Sequence, residues 1–409
     1  MIHEVPPMHS TTTPGETMST SVSVVEAAAP ATEASRVSSA RAIIITTANA
    51  ICSGIEWCFG LFSMVIILSV LATIPFIQFL SLGYLMESSG RIARTKRFRD
   101  GFIGIRIAAR LGCVGLGVFL TLLPVRFLSS LQYSSYLLNG DTGGTRALRL
   151  ITLVVGLIAI SHIAWAVYRG GRLRDFVWPA PLRLWRRMRE GGMYGEASRR
   201  LLQFSQRMRL PHYFWLGLRG FFGALIWLCI PVTMMAFATR AEDPGFGGLV
   251  AAVGGLLLGV VLVHLPFLQT RLATTNRFAS MFEVRDVREQ FRRAPIAWWV
   301  ALLMTLALAI PLYILKAELV PREAAWLPSL FFVAFMWPAR LVVGWAVGRA
   351  DKREQRRHWI FRGLSKMGMV PVALIFALVV YFSQFTSWYG AWSLYEQHAF
   401  MVPVPFLGY

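Results

Sequence analysis

Arg340 stands inside an apolar run, in Phe335-Met-Trp-Pro-Ala-Arg340, eight residues before the basic end of that run. At the centre of a bilayer an unpartnered guanidinium costs about 3 kcal/mol. The arginine therefore either snorkels to the nearer headgroups, or serves a buried site for an anionic group or a structural ion pair. Pro338, two residues earlier, can free a carbonyl for it. His264 and His162 lie in other apolar runs and are candidates for a proton relay, against the plainer role of a hydrogen bond to a neighbouring helix. A different chemistry is offered between runs, where residues 169–219 carry twelve arginines. Within that stretch, 196–210 sets Leu201, Phe204 and Met208 at helical spacing with Arg199, Arg200, Arg207 and Arg209 beside them. That is the pattern of a helix lying on an anionic leaflet; the alternative is a solvated linker. Arg340, His264, Arg199, Arg200 and Arg207 are thus the candidate solute or lipid contacts.

Other chemistry finds no residues to run on. The chain has no GxSxG elbow, no HExxH, no Walker-type GxxxxGK[ST], no GxGxxG after a strand and no paired intramembrane carboxylates. Cys52, Cys58, Cys113 and Cys229 form no CxxC pair and have no histidine at metal spacing. The expectation is a protein that is not an enzyme, with no catalytic residue, no cofactor and no metal.

The elements that would position these residues follow from composition. Of 409 residues 56% are hydrophobic and 15% charged, against roughly a quarter charged in soluble domains. Lipid is the solvent that accommodates this, through runs of about 20 apolar residues, because the hydrocarbon layer is ~30 Å thick and a helix rises ~1.5 Å per residue. Eight runs are expected to be transmembrane helices: 57–86, with a kink at Pro75, then 111–131, 150–168, 220–239, 247–270, 294–315, 324–348 and 367–395. The fold class is an all-α polytopic membrane protein of about eight helices. Residues 1–41, rich in Ser, Thr and Ala, are expected to be a disordered tail, 42–395 the transmembrane domain, and 396–409 a short tail.

The net charge of +20 is placed in loops between apolar runs. Its natural counter-charge is therefore anionic phospholipid headgroups rather than nucleic acid. The loops at 87–110, 169–219, 271–293 and 349–366 hold the great majority of the 41 Lys and Arg residues. The positive-inside rule puts all four in the cytoplasm of a bacterial inner-membrane protein and both termini outside. A ninth span over 42–60 would move the N-terminus inside. It would also bury Glu56, which favours eight.

Two of these loops echo each other. Arg91-Ile-Ala-Arg-Thr-Lys-Arg-Phe-Arg-Asp-Gly-Phe102 matches Arg271-Leu-Ala-Thr-Thr-Asn-Arg-Phe-Ala-Ser-Met-Phe282 at six of twelve positions. With four spans between them the copies have one orientation, consistent with two parallel four-helix halves. Convergence of basic loops on Arg and Phe is the other explanation. The segment Ile74-Pro-Phe-Ile-Gln-Phe-Leu-Ser-Leu-Gly-Tyr84, followed by a basic hinge, resembles the signature of a bacterial multi-pass membrane family of unknown function. The amphipathic stretch Phe282-Glu-Val-Arg-Asp-Val-Arg-Glu-Gln-Phe-Arg-Arg-Ala-Pro295 is similar to that family's second feature. The resemblance covers 57–125 and 270–316, implies a fold and a compartment, and carries over no catalytic residue. Two functions fit: a permease or channel for an anionic or lipidic solute, or a membrane-embedded scaffold that binds anionic lipid or acidic partners and moves nothing.

Overall fold

The computed structural model describes residues 31–314, 326–387, 390–395, 397 and 400–401, without the side chains of 31–45, 48, 193–194, 207 and 314. It falls into two units, 1–54 and 55–409. The tail expected over 1–41 lies outside the described residues up to 30; from Ala31 onward the chain is helical, opening α1 (Ala31–Thr73).

Among the described residues the chain is all helix. α2 (Gln78–Thr95) leads through a 3-10 turn to α3 (Ile105–Asn139) and α4 (Gly143–Tyr168). Three shorter helices follow, α5 (Leu173–Val177), α6 (Pro181–Glu190) and α7 (Met193–Met208). α8 (Leu210–Ala238) and α9 (Pro244–Thr275) precede a second 3-10 turn, and α10 (Val284–Arg293), α11 (Pro295–Ile314), α12 (Trp326–Asp351) and α13 (Trp359–Thr386) complete the series. Among the described residues eight helices are long and apolar enough to cross a membrane, the first of them over Asn49–Thr73.

That first span corrects the expected one. Residues 57–86 do not make a single kinked helix; they make two limbs of a hairpin. Pro75 has no N–H to continue the ladder, and Phe76 takes φ 65, a left-handed conformation that reverses the chain. The reversal is sharp: Ser81 Oγ donates to Leu68 O at 2.7 Å across thirteen residues. At the open end Trp57 meets Phe102 with ring centroids 5.4 Å apart. The start of this unit and the first basic hinge therefore share one end of the bundle. Glu56, next to Trp57, belongs to the basic end, so the expectation that the N-terminal side of the first span lies on the far face loses its basis.

α2 is the hub. Most of its residues are buried, and three helices close on it where glycines remove side chains from the contact. A methyl on Gly83 would overlap the Tyr213 carbonyl of α8, and Gly217 of α8 lies as close to Phe79 O. Gly90 abuts Ala273 of α9, and Gly344 and Gly348 of α12 abut Ser89 and Ile92. Without a hydrophobic force between helices in lipid, such small-residue contacts supply the packing. α3 and α4 pair with each other at the periphery, and in the windows that define them as spans only 6% and 17% of residues are buried, against 61% for α12.

Residues 397, 400 and 401 lie inside the bundle. The 396–409 segment is not a free tail over its described residues. Leu394, Gln397 and Phe400 are fully buried and Met401 nearly so. Gln269 Nε2 of α9 donates to Phe400 O at 2.8 Å, and Tyr313 OH of α11 donates to Gln397 Oε1 at 3.1 Å.

Candidate functional site

All four basic loops meet at one end of the 55–409 unit. Arg94 Nη1 donates to Ala273 O at 2.6 Å, so the two hinges are neighbours. Lys96 Nζ donates to Asp351 O at 3.4 Å and Lys352 Nζ returns to Lys96 O at 3.2 Å. Arg219 reaches Asn276 O at 3.0 Å, and Arg357 N donates to Arg292 O at 2.9 Å. The four loops that composition groups together are thus neighbours.

Just inside this end is a buried carboxylate that sequence reasoning left in a loop. Glu87 is 7% exposed. Arg94, seven residues later and so on the same helix face, donates to Glu87 Oε1. His212 Nε2, from α8, lies 3.4 Å from Glu87 Oε2. Ser88 and Ser89 return their hydroxyls to Tyr84 O and Met86 O, and Thr270 Oγ1 of α9 donates to Ser89 Oγ at 3.2 Å. The signal that reveals Glu87 is this i, i+7 pairing with Arg94, Glu87 being the one acidic residue of α2. Deeper in, Gln78 Oε1, Gln269 Oε1 and both amide atoms of Gln384 are buried and make no hydrogen bond among the described residues.

Arg340 is 2% exposed. It flanks the stripe of α12 that meets α2, where Trp337 packs on Tyr84 at 5.7 Å and on Phe102 at 5.8 Å. The side chain is enclosed by the protein, near where Gly344 and Gly348 bring α12 against α2. His264 donates Nδ1–H to Val260 O of its own helix at 2.8 Å, and His162 donates to Phe176 O at 2.7 Å. Neither bond crosses to another spanning helix.

Of the arginines singled out for lipid contact, Arg200 is committed within the chain. It donates to Glu196 Oε1 at 2.6 Å and to Tyr168 O at 3.0 Å, while Tyr168 OH and Arg187 hold Glu196 Oε2. Arg199 is exposed and bonds Gly195 O at 3.2 Å. The Arg207 side chain lies outside the described residues. The stronger amphipathic element is α6, which the sequence reading passed over. It buries no residue. Leu182, Trp185 and Met188 are 81%, 61% and 63% exposed along one side, Arg183, Arg186 and Arg187 stand on the other, and Arg189 lies over the Trp185 ring at 4.9 Å.

No group of three or more His, Cys, Asp or Glu among the described residues could hold a metal ion. Compared with known proteins, the chain matches no family model, no curated protein and no solved structure.

Proposed function

We propose that this chain is a membrane-embedded scaffold of the bacterial inner membrane, with its basic end in the cytoplasm, that holds anionic phospholipid headgroups and catalyses no reaction. The observation that carries the reading is α6, whose exposed Leu182, Trp185 and Met188 sit beside a row of arginines. Such a helix gains by sinking its apolar side to the acyl boundary while its guanidinium groups meet lipid phosphates. A spin label on Trp185→Cys, in a full-length chain whose four native cysteines are replaced by serine, reconstituted in nanodiscs, tests it. The label is expected to report lipid depth in anionic bilayers and to move toward water in neutral bilayers or high salt. Equal water exposure in all three overturns the proposal.

A second reading, passage of an anionic or lipidic solute, draws support from the polar side chains held inside the bundle: Gln78, Gln269 and Gln384, with Arg340 buried beside α2. It requires that water reach this interior in some state of the protein. Arg340→Cys that no aqueous thiol reagent modifies from either side of a vesicle removes it.

A further inference from the structure

Two adjoining cavities open at the basic end on either side of Trp345. One, of about 200 Å³, has an apolar wall from the start of α11, including Pro295, Ile296 and Val300, under Arg349, Arg353 and Arg357. The other, of about 390 Å³, is ringed by Lys96, Arg349, Lys352 and Arg353 over Ile92 and Gly348, a size at the lower end of small-molecule sites (~300–1,000 Å³). Arg349 and Arg353 belong to both.

The charges here are not consumed by the protein. Arg349 lies over the Trp345 ring at 5.4 Å, and no carboxylate among the described residues pairs with Arg349, Lys352 or Arg353. Two acids on neighbouring segments are engaged elsewhere: Glu289 takes Arg356 at 2.9 Å and also faces Arg292 and Arg293, and Asp351 Oδ1 accepts from Gln290 at 3.0 Å. The same level of the bundle is apolar outward, with Ile296, Trp359 and Ile360 all exposed, as expected of an interfacial belt.

We propose that this groove binds the phosphate of an anionic phospholipid, with Arg349 and Arg353 on the phosphate oxygens, Trp345 as the wall between the two lobes, and an acyl chain lying along Ile296 and Val300. Arginine forks match phosphate oxygens, and an apolar channel joined to the cationic one selects a phosphate that carries a chain. The site shares no residue with α6, so it stands or falls separately from the reading above.

The full chain, purified in detergent, is incubated with phosphatidylglycerol or phosphatidylcholine and the retained lipid is counted by native mass spectrometry. The wild type is expected to retain phosphatidylglycerol preferentially, and Arg349→Gln/Arg353→Gln to lower that affinity about tenfold or more. Arg106→Gln/Arg110→Gln, two exposed arginines of α3 outside both cavities, removes equal charge and is expected to leave this tightly held lipid in place. A photoactivatable phosphatidylglycerol should crosslink to the wild-type chain at 295–300, a readout that needs no variant. Equal retention by the Arg349/Arg353 variant, or crosslinks that avoid this segment, overturns the site. Protection of the groove by millimolar inorganic phosphate with no competition from the lipid overturns the lipid assignment, since the ligand is then a soluble phosphate.

Discussion

The two basic hinges adopt one local structure and lead to two different fates. Lys96 and Asn276 end their helices at φ 60 and φ 56, each donating its N–H four residues back. Thr95 and Thr275 bond Arg91 O and Arg271 O at 3.0 Å in both cases. Arg97 and Arg277 are extended at φ −120 and φ −113, and the Phe pairs that follow pack edge to face at 6.0 Å and 5.9 Å. Beyond the first hinge, α3 and α4 go to the periphery. Beyond the second, α11 and α12 go to the core, where half or more of their window residues are buried. The Arg-x-Ala-x-Thr-x-Arg-Phe pattern therefore specifies a helix stop and a turn. What packs afterwards differs: after the second hinge α12 meets α2 backbone to backbone at Gly344 and Gly348, as α8 does at Gly83 and Gly217.

The largest effect expected from this difference lies at those glycines. Gly83→Ala puts a methyl into the Tyr213 backbone, which no rotamer change can relieve. A loss above about 3 kcal/mol, or no folded protein, is expected. Gly115→Ala on peripheral α3 meets nothing within 4 Å and is expected to be neutral or slightly stabilising. Unfolding midpoints of the two full-length variants in one detergent decide it. Similar losses would mean that the peripheral pair is packed as tightly as the core.

How much of this was legible in the sequence follows the same line. Hydropathy located the apolar runs, and charge placed four loops on one end, because both depend on composition over many residues. The Arg271 to Phe282 echo was legible because a turn is local. Pro75 was visible, but a kink and a reversal differ only in the φ of Phe76. Glu87 looked like the first residue of a loop because the apolar run stops at Met86, although Arg94 one heptad on was its partner. Nothing in the composition of 396–409 distinguishes a free tail from one whose Phe400 carbonyl is bound by Gln269.

Arg94 and Thr274 occupy equivalent places in the two hinges and carry unequal work. Arg94 neutralises buried Glu87 and caps Ala273 O, the two hinges' direct link. Thr274 Oγ1 only returns to Arg271 O at 2.7 Å. Arg94→Ala is expected to cost about 2–3 kcal/mol, less than the ~3–5 of a fully buried pair, since the Arg94 side chain is 40% exposed. Thr274→Ala should cost a few tenths, at the low end of the ~0.5–1.5 kcal/mol of a net hydrogen bond. If Arg94→Ala/Glu87→Gln is no more stable than Arg94→Ala, the uncompensated carboxylate is not the source of the loss.

The helix stops themselves should respond alike. Lysine gains nothing at a left-handed φ, whereas glycine takes it without strain and asparagine with little. Lys96→Gly is expected to stabilise by about 0.5–1 kcal/mol and Asn276→Gly by a few tenths at most. Equal gains, read from the same melting curves, would show that side-chain contacts rather than backbone conformation distinguish the two stops.

The smallest effect concerns α10, the element that follows the second hinge and has no counterpart after the first. The Arg356 guanidinium, hydrogen-bonded to Glu289, holds that carboxyl below the usual carboxylate range, with Arg292 and Arg293 adding to it. A depressed carboxylate contributes its stabilisation at pH values above its unfolded pKa and loses it as pH falls through the lower folded value. The attachment of α10 to the 351–358 segment should therefore be constant around neutrality and weaken only in acid, below pH ~4. Hydrogen exchange of the α10 amides across that range measures it, with the hinge at Lys96 as internal reference. Glu289→Gln should show the acid-state exchange at every pH. An acid-induced opening that persists in that variant would place the titrating group elsewhere and leave α10 held by Val287 and Phe291, its two buried side chains.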